Sequence, residues 1–430
     1  MAHLDNSLKK SSACLIALLI SALGVSAKLA YHYHVSRGDF SALIFPDEKN
    51  YYAAGAELFL KQGWSYFLTP RSLWNAPLSV LWIALWRIDV PLIKVLNVLL
   101  LGVAGFLLWD AARRSWGLLG AFLVLLLYNA HLPFFTWGPT ILSEPPFCFL
   151  LVFSLWLMVA APKGRFFLCG LLLGLAALIR PSLQFYPLFA LLFLGVLWLC
   201  SKRLRKVITA ARGLAGGLCL LIGFSLPVVP YLVKNYVIFE RLVLANGLGA
   251  VLYLGNDLRT NGDEPVYVGR DFDTFKITAP YTHLDSEGDR RLMAAARDNF
   301  KARPYETILL NLKKPFRFLF GSKAYHFYPY KSWFSLHKNA GWKASTAALF
   351  ELTLTAMVVI LGLAGMVYLS GNQVPRFFAL SMVLYFVAVH SPLFPIPRMA
   401  LPIFPYLLFY GAGSAKILLY LQRRGTQSDC

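Results

Sequence analysis

The feature that most constrains this chain is a series of apolar blocks, each near twenty residues long and nearly free of charge at its centre. A helix of about 20 apolar residues crosses the roughly 30 Å hydrocarbon core of a bilayer. Lipid offers no partner to a bare backbone, so such blocks must close their own hydrogen bonds as helices. Ten spans are expected, over residues 12–32, 91–111, 117–134, 146–161, 166–180, 184–200, 213–232, 346–369, 376–393 and 399–419. Only 14% of residues are charged, against about 25% in soluble domains. The expected fold class is therefore an all-α polytopic membrane protein.

Orientation follows from the basic residues. With the N-terminus in the cytoplasm, alternate connections carry Arg113/Arg114, Lys163/Arg165, Lys202/Arg203/Arg205/Lys206, Arg376 and Arg423/Arg424. All of these then lie inside, as the positive-inside rule requires, and both termini are cytoplasmic. The formal net charge of +20 is thereby assigned to topology and lipid headgroups. No nucleic-acid-binding motif accompanies it, so no nucleic acid is expected as a partner. The first block, behind Lys9 and Lys10, reads as a signal anchor. The six cysteines, none in a CxxC pair, form neither a disulfide framework nor a zinc site.

Two long outer connections remain. Residues 33–90 hold an amphipathic stretch around Tyr51, Tyr52, Gly55, Leu58 and Phe59, and a short apolar run Pro77–Trp86 with Trp74, Trp82 and Trp86. Ten residues cannot span, so both should lie in the interface. The division expected is a membrane module over 1–232, an outer domain over 233–345 and C-terminal helices over 346–430. In the outer domain a helix is expected near 286–303, followed by an interfacial helix over 304–320.

Ionisable residues inside spans are costly and usually functional. Here Lys28, Lys94, Asp110 and Glu351 all fall near predicted ends, which places any polar site at an interface and disfavours an ion-coupled transporter. Asp47 and Glu48 open the amphipathic stretch in Phe45-Pro46-Asp47-Glu48-Lys49-Asn50-Tyr51-Tyr52. Glu144 precedes Pro145 and Pro146 at the outer start of the fourth span. By residue chemistry alone each acid is a helix-start residue favoured by the helix dipole.

The segment from Asp47 to Gly63 resembles the first outer loop of GT-C membrane glycosyltransferases. Within that class it is most similar to the dolichyl-phosphate-mannose protein mannosyltransferases and the bacterial lipid A aminoarabinose transferases. Further parts follow in order: Glu144, the run from Gly170 through Gly174 to Arg180-Pro181, Lys234-Asn235-Tyr236, and Pro397-Arg398. The likeness covers the first 240 residues well and the remainder weakly. It implies a GT-C fold and transfer of a sugar from a polyprenyl-phosphate donor to a lipid, glycan or protein acceptor, at the outer face of the cytoplasmic membrane. Asp47 would be the general base, with Glu48 and Glu144 beside it. Arg71, Arg180 and Arg398 would hold the donor phosphate, and Tyr51, Asn75 and His131 would contact substrate. Some members place a divalent cation between acids of the first two outer loops, which here would be Asp47 and Glu144. Relatives often carry Lys-Pro-Pro-Leu where this chain has Asn75-Ala76-Pro77-Leu78, so either Arg71, one helical turn earlier, replaces that lysine or this chain uses a different donor geometry. A lipid-linked sugar flippase, an assembly protein and a ligase using a polyprenyl-diphosphate donor are the rival readings.

Overall fold

The computed structural model describes residues 2–161, 164–200, 210–260, 274–321, 333–369, 373–393 and 397–415. The basic clusters at 202–206 and 423–424, Lys163, and the end of the last expected span lie outside the described residues. Every regular element among the described residues is helical.

In chain order these are α1 (Ala2–Val35), α2 (Pro46–Ala56), α3 (Pro77–Leu85), α4 (Val90–Ala130), α5 (Pro133–Trp137), α6 (Glu144–Ala160), α7 (Arg165–Ile179) and α8 (Tyr186–Cys200). They continue as α9 (Ala210–Phe239), α10 (Leu248–Gly255), α11 (Phe275–Thr278), α12 (Ser286–Ala302), α13 (Pro304–Phe320), α14 (Trp333–Tyr368) and α15 (Gln373–His390). A 3-10 turn, Pro397–Ile403, leads into a further helix over 404–415. Six of the helices are long and apolar enough to cross a membrane, and α6 and α7 are shorter apolar helices.

The 41-residue α4 would be roughly 60 Å long if straight, twice what one crossing needs. It is broken at Gly117, whose φ of 80° is a conformation that costs glycine little and other residues more. Beyond it the chain folds back, so that Tyr128 donates to the Leu101 carbonyl at 3.1 Å. The two halves thus correspond to the spans expected over 91–111 and 117–134.

Amphipathic faces do not drive packing inside a bilayer, where lipid is as apolar as leucine; close backbone approach does. The glycines of Gly170–Gly174 serve that purpose. A Cβ on Gly170 would stand 2.1 Å from the Leu220 carbonyl oxygen, and one on Gly174 2.5 Å from that of Phe224. Gly223 of α9 faces α7 in the same way, 2.1 Å from the Phe167 carbonyl oxygen. This contact sets the position of Arg180, the residue that ends α7. Gly170→Leu is therefore expected to lower the stability of the folded protein by about 1–3 kcal/mol or more. Thermal unfolding in detergent would show it as an earlier transition than wild type.

The two ends of the bundle differ. At one end Asp110 is buried between Arg113 (2.6 Å) and Arg114 (2.7 Å) and accepts from Trp156 Nε1. This is a closed ion group on two neighbouring helix turns. The two long connections and the acids Asp47, Glu48 and Glu144 lie at the opposite ends of these helices.

The long connection between α1 and α4 is not a free loop. After α2 it makes a π turn (Glu57–Gln62) and two 3-10 turns (Gly63–Leu68 and Pro70–Leu73) before α3. It is tied to the later connection through Asn246 N–H to the Leu73 carbonyl (2.7 Å) and Trp74 Nε1–H to Asp285 (3.2 Å). Within that later connection Asp289 is the hub. Its carboxylate accepts from the amides of Gly247 (3.0 Å) and Gly249 (2.7 Å) and pairs with Arg241 (3.3 Å). Helices α12 and α13 run as expected over 286–302 and 304–320.

Candidate active site

Four charged side chains from four separate parts of the chain meet at the loop-bearing end. Pro46 fixes the first turn of α2, and Asp47 follows it. Glu144 opens α6 before its proline pair, Arg180 closes α7, and Arg398 sits in the 3-10 turn Pro397–Ile403. Arg398 Nη2 donates to Asp47 Oδ2 at 2.5 Å, and its Nε stands 3.7 Å from Glu144 Oε1. Arg180 Nη1 reaches the same Glu144 oxygen at 3.1 Å. Glu144 is thus shared between two guanidinium groups, and Arg398 is shared between two carboxylates.

Exposure ranks these groups. The side chain of Glu144 is 4% exposed and each arginine 14%, whereas that of Asp47 is 49% exposed. Three charges form a buried pad and the fourth stands on its rim. The pad rests on aromatic rings. The Arg398 guanidinium lies 5.0 Å over Trp137, which packs on Phe45, and Arg180 lies 5.8 Å over Phe147. A weakly hydrated guanidinium against a ring keeps its fork of donors aimed at carboxylate or phosphate.

Glu48, though adjacent to Asp47, plays a different part. It is fully buried, accepts the Phe45 amide (2.9 Å) and the Ile141 amide (3.0 Å), and so staples the start of α2 to the loop before α6. The first of these bonds is half of a capping box, the helix-start reading in its plain form. Asp47 makes no such bond and turns outward to Arg398. Lys94 is fixed nearby by His32 Nε2 (3.1 Å) and the Ala42 carbonyl (2.5 Å), a buried cation close to the Glu48 carboxylate.

The other expected residues separate into those beside the cluster and those apart from it. The Tyr51 hydroxyl lies 3.5 Å from Ser143 Oγ. Burial pushes its phenol up, countered by that bond, with Glu144 and Arg180 both near enough to act on it. His131 is buried and stacked on Phe404, ring centroids 3.6 Å apart and planes 4° from parallel, so it forms part of the aromatic floor. Asn75 has its Nδ2 buried without an acceptor. Arg71 makes no contact with Asp47 or Glu144: it pairs with Glu57 (3.6 Å) and stacks on Trp74 (3.6 Å). The one-turn spacing from Asn75 therefore does not bring it into the cluster. Trp137 also belongs to the setting, and a tryptophan in an apolar run carries no signal of its own in the sequence; Lys94 stands out there only as an ionisable residue near a span end.

The donor set does not suit a divalent cation between Asp47 and Glu144. The guanidinium of Arg398 already bridges these two carboxylates. No group of three or more His, Cys, Asp or Glu side chains among the described residues is close enough to ligate an ion. The positive charge at this point of the site is supplied by arginine.

No protein-family model matches the chain, and no curated protein matches it. The solved structures that match the chain include two states of one protein. One is the ArnT of Cupriavidus metallidurans bound to undecaprenyl phosphate, with 15% identity and a TM-score of 0.39, covering 92% of this chain and 77% of that one. The other is the apo state of the same protein, with 14% identity and a TM-score of 0.38, covering 95% and 78%.

Proposed function

We propose that this chain is an inverting glycosyltransferase of the GT-C kind, which moves a sugar from a polyprenyl-phosphate donor to an acceptor hydroxyl at the outer face of the cytoplasmic membrane. The observation that carries the reading is the asymmetry of the cluster. One half-exposed carboxylate stands on the rim of a buried pad of two arginines and one acid, at the end of a membrane bundle.

The chemistry fits those parts. Asp47 accepts the proton of the acceptor hydroxyl as its oxygen bonds to the anomeric carbon. The bond from that carbon to the phosphate oxygen breaks on the opposite face, and polyprenyl phosphate leaves with the electron pair. Arg398 and Arg180 stabilise the charge that develops on the phosphate, as preorganised donors on a rigid aromatic floor. Glu144, together with Asp47, balances the charge of the two guanidinium groups while the site is empty. Glu48 holds the loop that carries Asp47, and Tyr51, Asn75 and His131 shape the walls. A transporter would need a polar path through the bundle. A large apolar cluster runs through the described bundle, interrupted by buried polar side chains such as Ser154, Glu351, Thr355 and Ser381.

The test is consumption of radiolabelled sugar from a panel of donors by purified protein. Label leaving polyprenyl-monophosphate sugars, with release of polyprenyl phosphate, is the expected result. Label leaving only diphosphate-linked donors would replace this reading with the ligase. Movement of intact donor across a vesicle membrane without turnover would replace it with the flippase.

A further inference from the structure

A second group of cations and rings lies outside the four-charge cluster and has no part in the reaction above. It is framed by the turns Gly63–Leu68 and Pro70–Leu73 and by the end of α9. Lys234 Nζ donates to the Phe67 carbonyl at 2.9 Å and lies over the rings of Tyr231 (4.2 Å) and Phe239 (5.2 Å). Tyr231 and Tyr66 bind the next turn through their hydroxyls, to the carbonyls of Ser72 (3.5 Å) and Arg71 (3.4 Å). Arg71 lies flat on Trp74, with Nε toward Glu57, whose other oxygen takes a bond from Gln62 (2.8 Å).

Both cations are thus held while part of their donor capacity stays unspent. Lys234 uses one of three N–H groups, and the two Nη groups of Arg71 meet no acceptor among the described residues. With Glu57 counted, the patch keeps one net positive charge. The surface beside it is apolar and open: Trp64 is 76% exposed, Leu68 57% and Val237 72%. Spare cationic donors at the polar edge of an apolar belt match one ligand chemistry well. A phosphate oxyanion takes the charge-assisted bonds, and the chains attached to it lie on the apolar side.

We propose that Arg71 and Lys234 form a second phosphate site, for the headgroup phosphate of a membrane lipid, separate from Arg180 and Arg398. The proposal stands whether or not the transfer reaction does, because it concerns binding alone. Cations that merely snorkel to the interface would hold no lipid saturably.

The experiment counts lipids retained by the full-length protein in phosphatidylcholine nanodiscs, using native mass spectrometry. The probes are phosphatidic acid and a polyprenyl monophosphate. Wild type should retain a probe saturably, and Arg71→Gln with Lys234→Met should weaken that retention by about tenfold or more, from the loss of two charged hydrogen bonds. Arg297→Gln, a change at an exposed arginine of α12, should leave it unchanged, and Lys234→Arg, which keeps the charge, should preserve it. If Lys234→Met does not give folded protein, Arg71→Gln alone reads the same loss, since that side chain is only partly buried. A loss confined to the polyprenyl probe would assign the patch to the carrier, and a loss with both probes to lipid phosphates in general. Equal retention of both probes by wild type and the double variant overturns the proposal.

Discussion

Asp47→Asn is expected to lower the rate of sugar transfer by about 10²- to 10⁴-fold, the usual contribution of a positioned general base. That corresponds to roughly 3–5 kcal/mol of transition-state stabilisation. Asparagine keeps an oxygen able to accept from Arg398 but cannot take a proton at neutral pH. The fold should survive, because the side chain is 49% exposed and half-exposed ion pairs contribute at most about 1 kcal/mol. The helix start should survive as well, since the Phe45 amide is satisfied by Glu48 and not by Asp47. Single-turnover transfer from a defined polyprenyl-monophosphate sugar separates the possibilities. A slower chemical step with donor affinity nearly intact is the expected outcome. A variant that transfers at the wild-type rate would remove Asp47 from the chemistry, and a variant that fails to bind donor would make its role one of holding Arg398 in place.

Much of the scaffold could be read from residue order because membrane segments announce themselves. The hydrocarbon core sets a length, and blocks such as Ser11–Val35 and Gly213–Phe239 have it. The acids Asp47 and Glu144, and the arginines Arg180 and Arg398, could be named one by one from their places at span ends. Their convergence is a tertiary fact. It depends on α7 lying against α9 at glycine distance, which no local pattern fixes in register. Glu48 shows the limit more sharply. It differs from Asp47 by one methylene and one position, yet one acid is buried on two backbone amides and the other faces an arginine. Helical rotation of about 100° per residue sends neighbours to different faces, and which face is the site depends on what packs there. Arg71 shows the same dependence on tertiary structure: the resemblance offers it in place of a lysine at Asn75, but the chain there runs in 3-10 and irregular turns, so α-helical spacing does not apply.

The largest loss of stability is expected from Glu144→Ala, in the opposite order to the loss of activity at Asp47. Glu144 is 4% exposed and serves both Arg180 and Arg398. Removing it leaves two guanidinium groups, each 14% exposed, without their shared counter-charge. Breaking a buried pair from one side typically costs about 3–5 kcal/mol, more than the pair itself contributes, because the orphaned charge stays buried. The companion change tests that cause. Replacing Glu144 by alanine and Arg180 by methionine in one protein removes one acid and one base, leaving Arg398 its bond to Asp47. That double variant should be more stable than Glu144→Ala, with a coupling energy of about 0.5–3 kcal/mol between the two positions. Thermal or denaturant unfolding in one detergent, applied to the wild type, both single variants and the double, gives the cycle directly. If Glu144→Ala unfolds as wild type does, the two arginines are solvated without it and the pad is not an electrostatic unit. If the double variant is no better than the single, the lost term is packing beneath α6 and not charge.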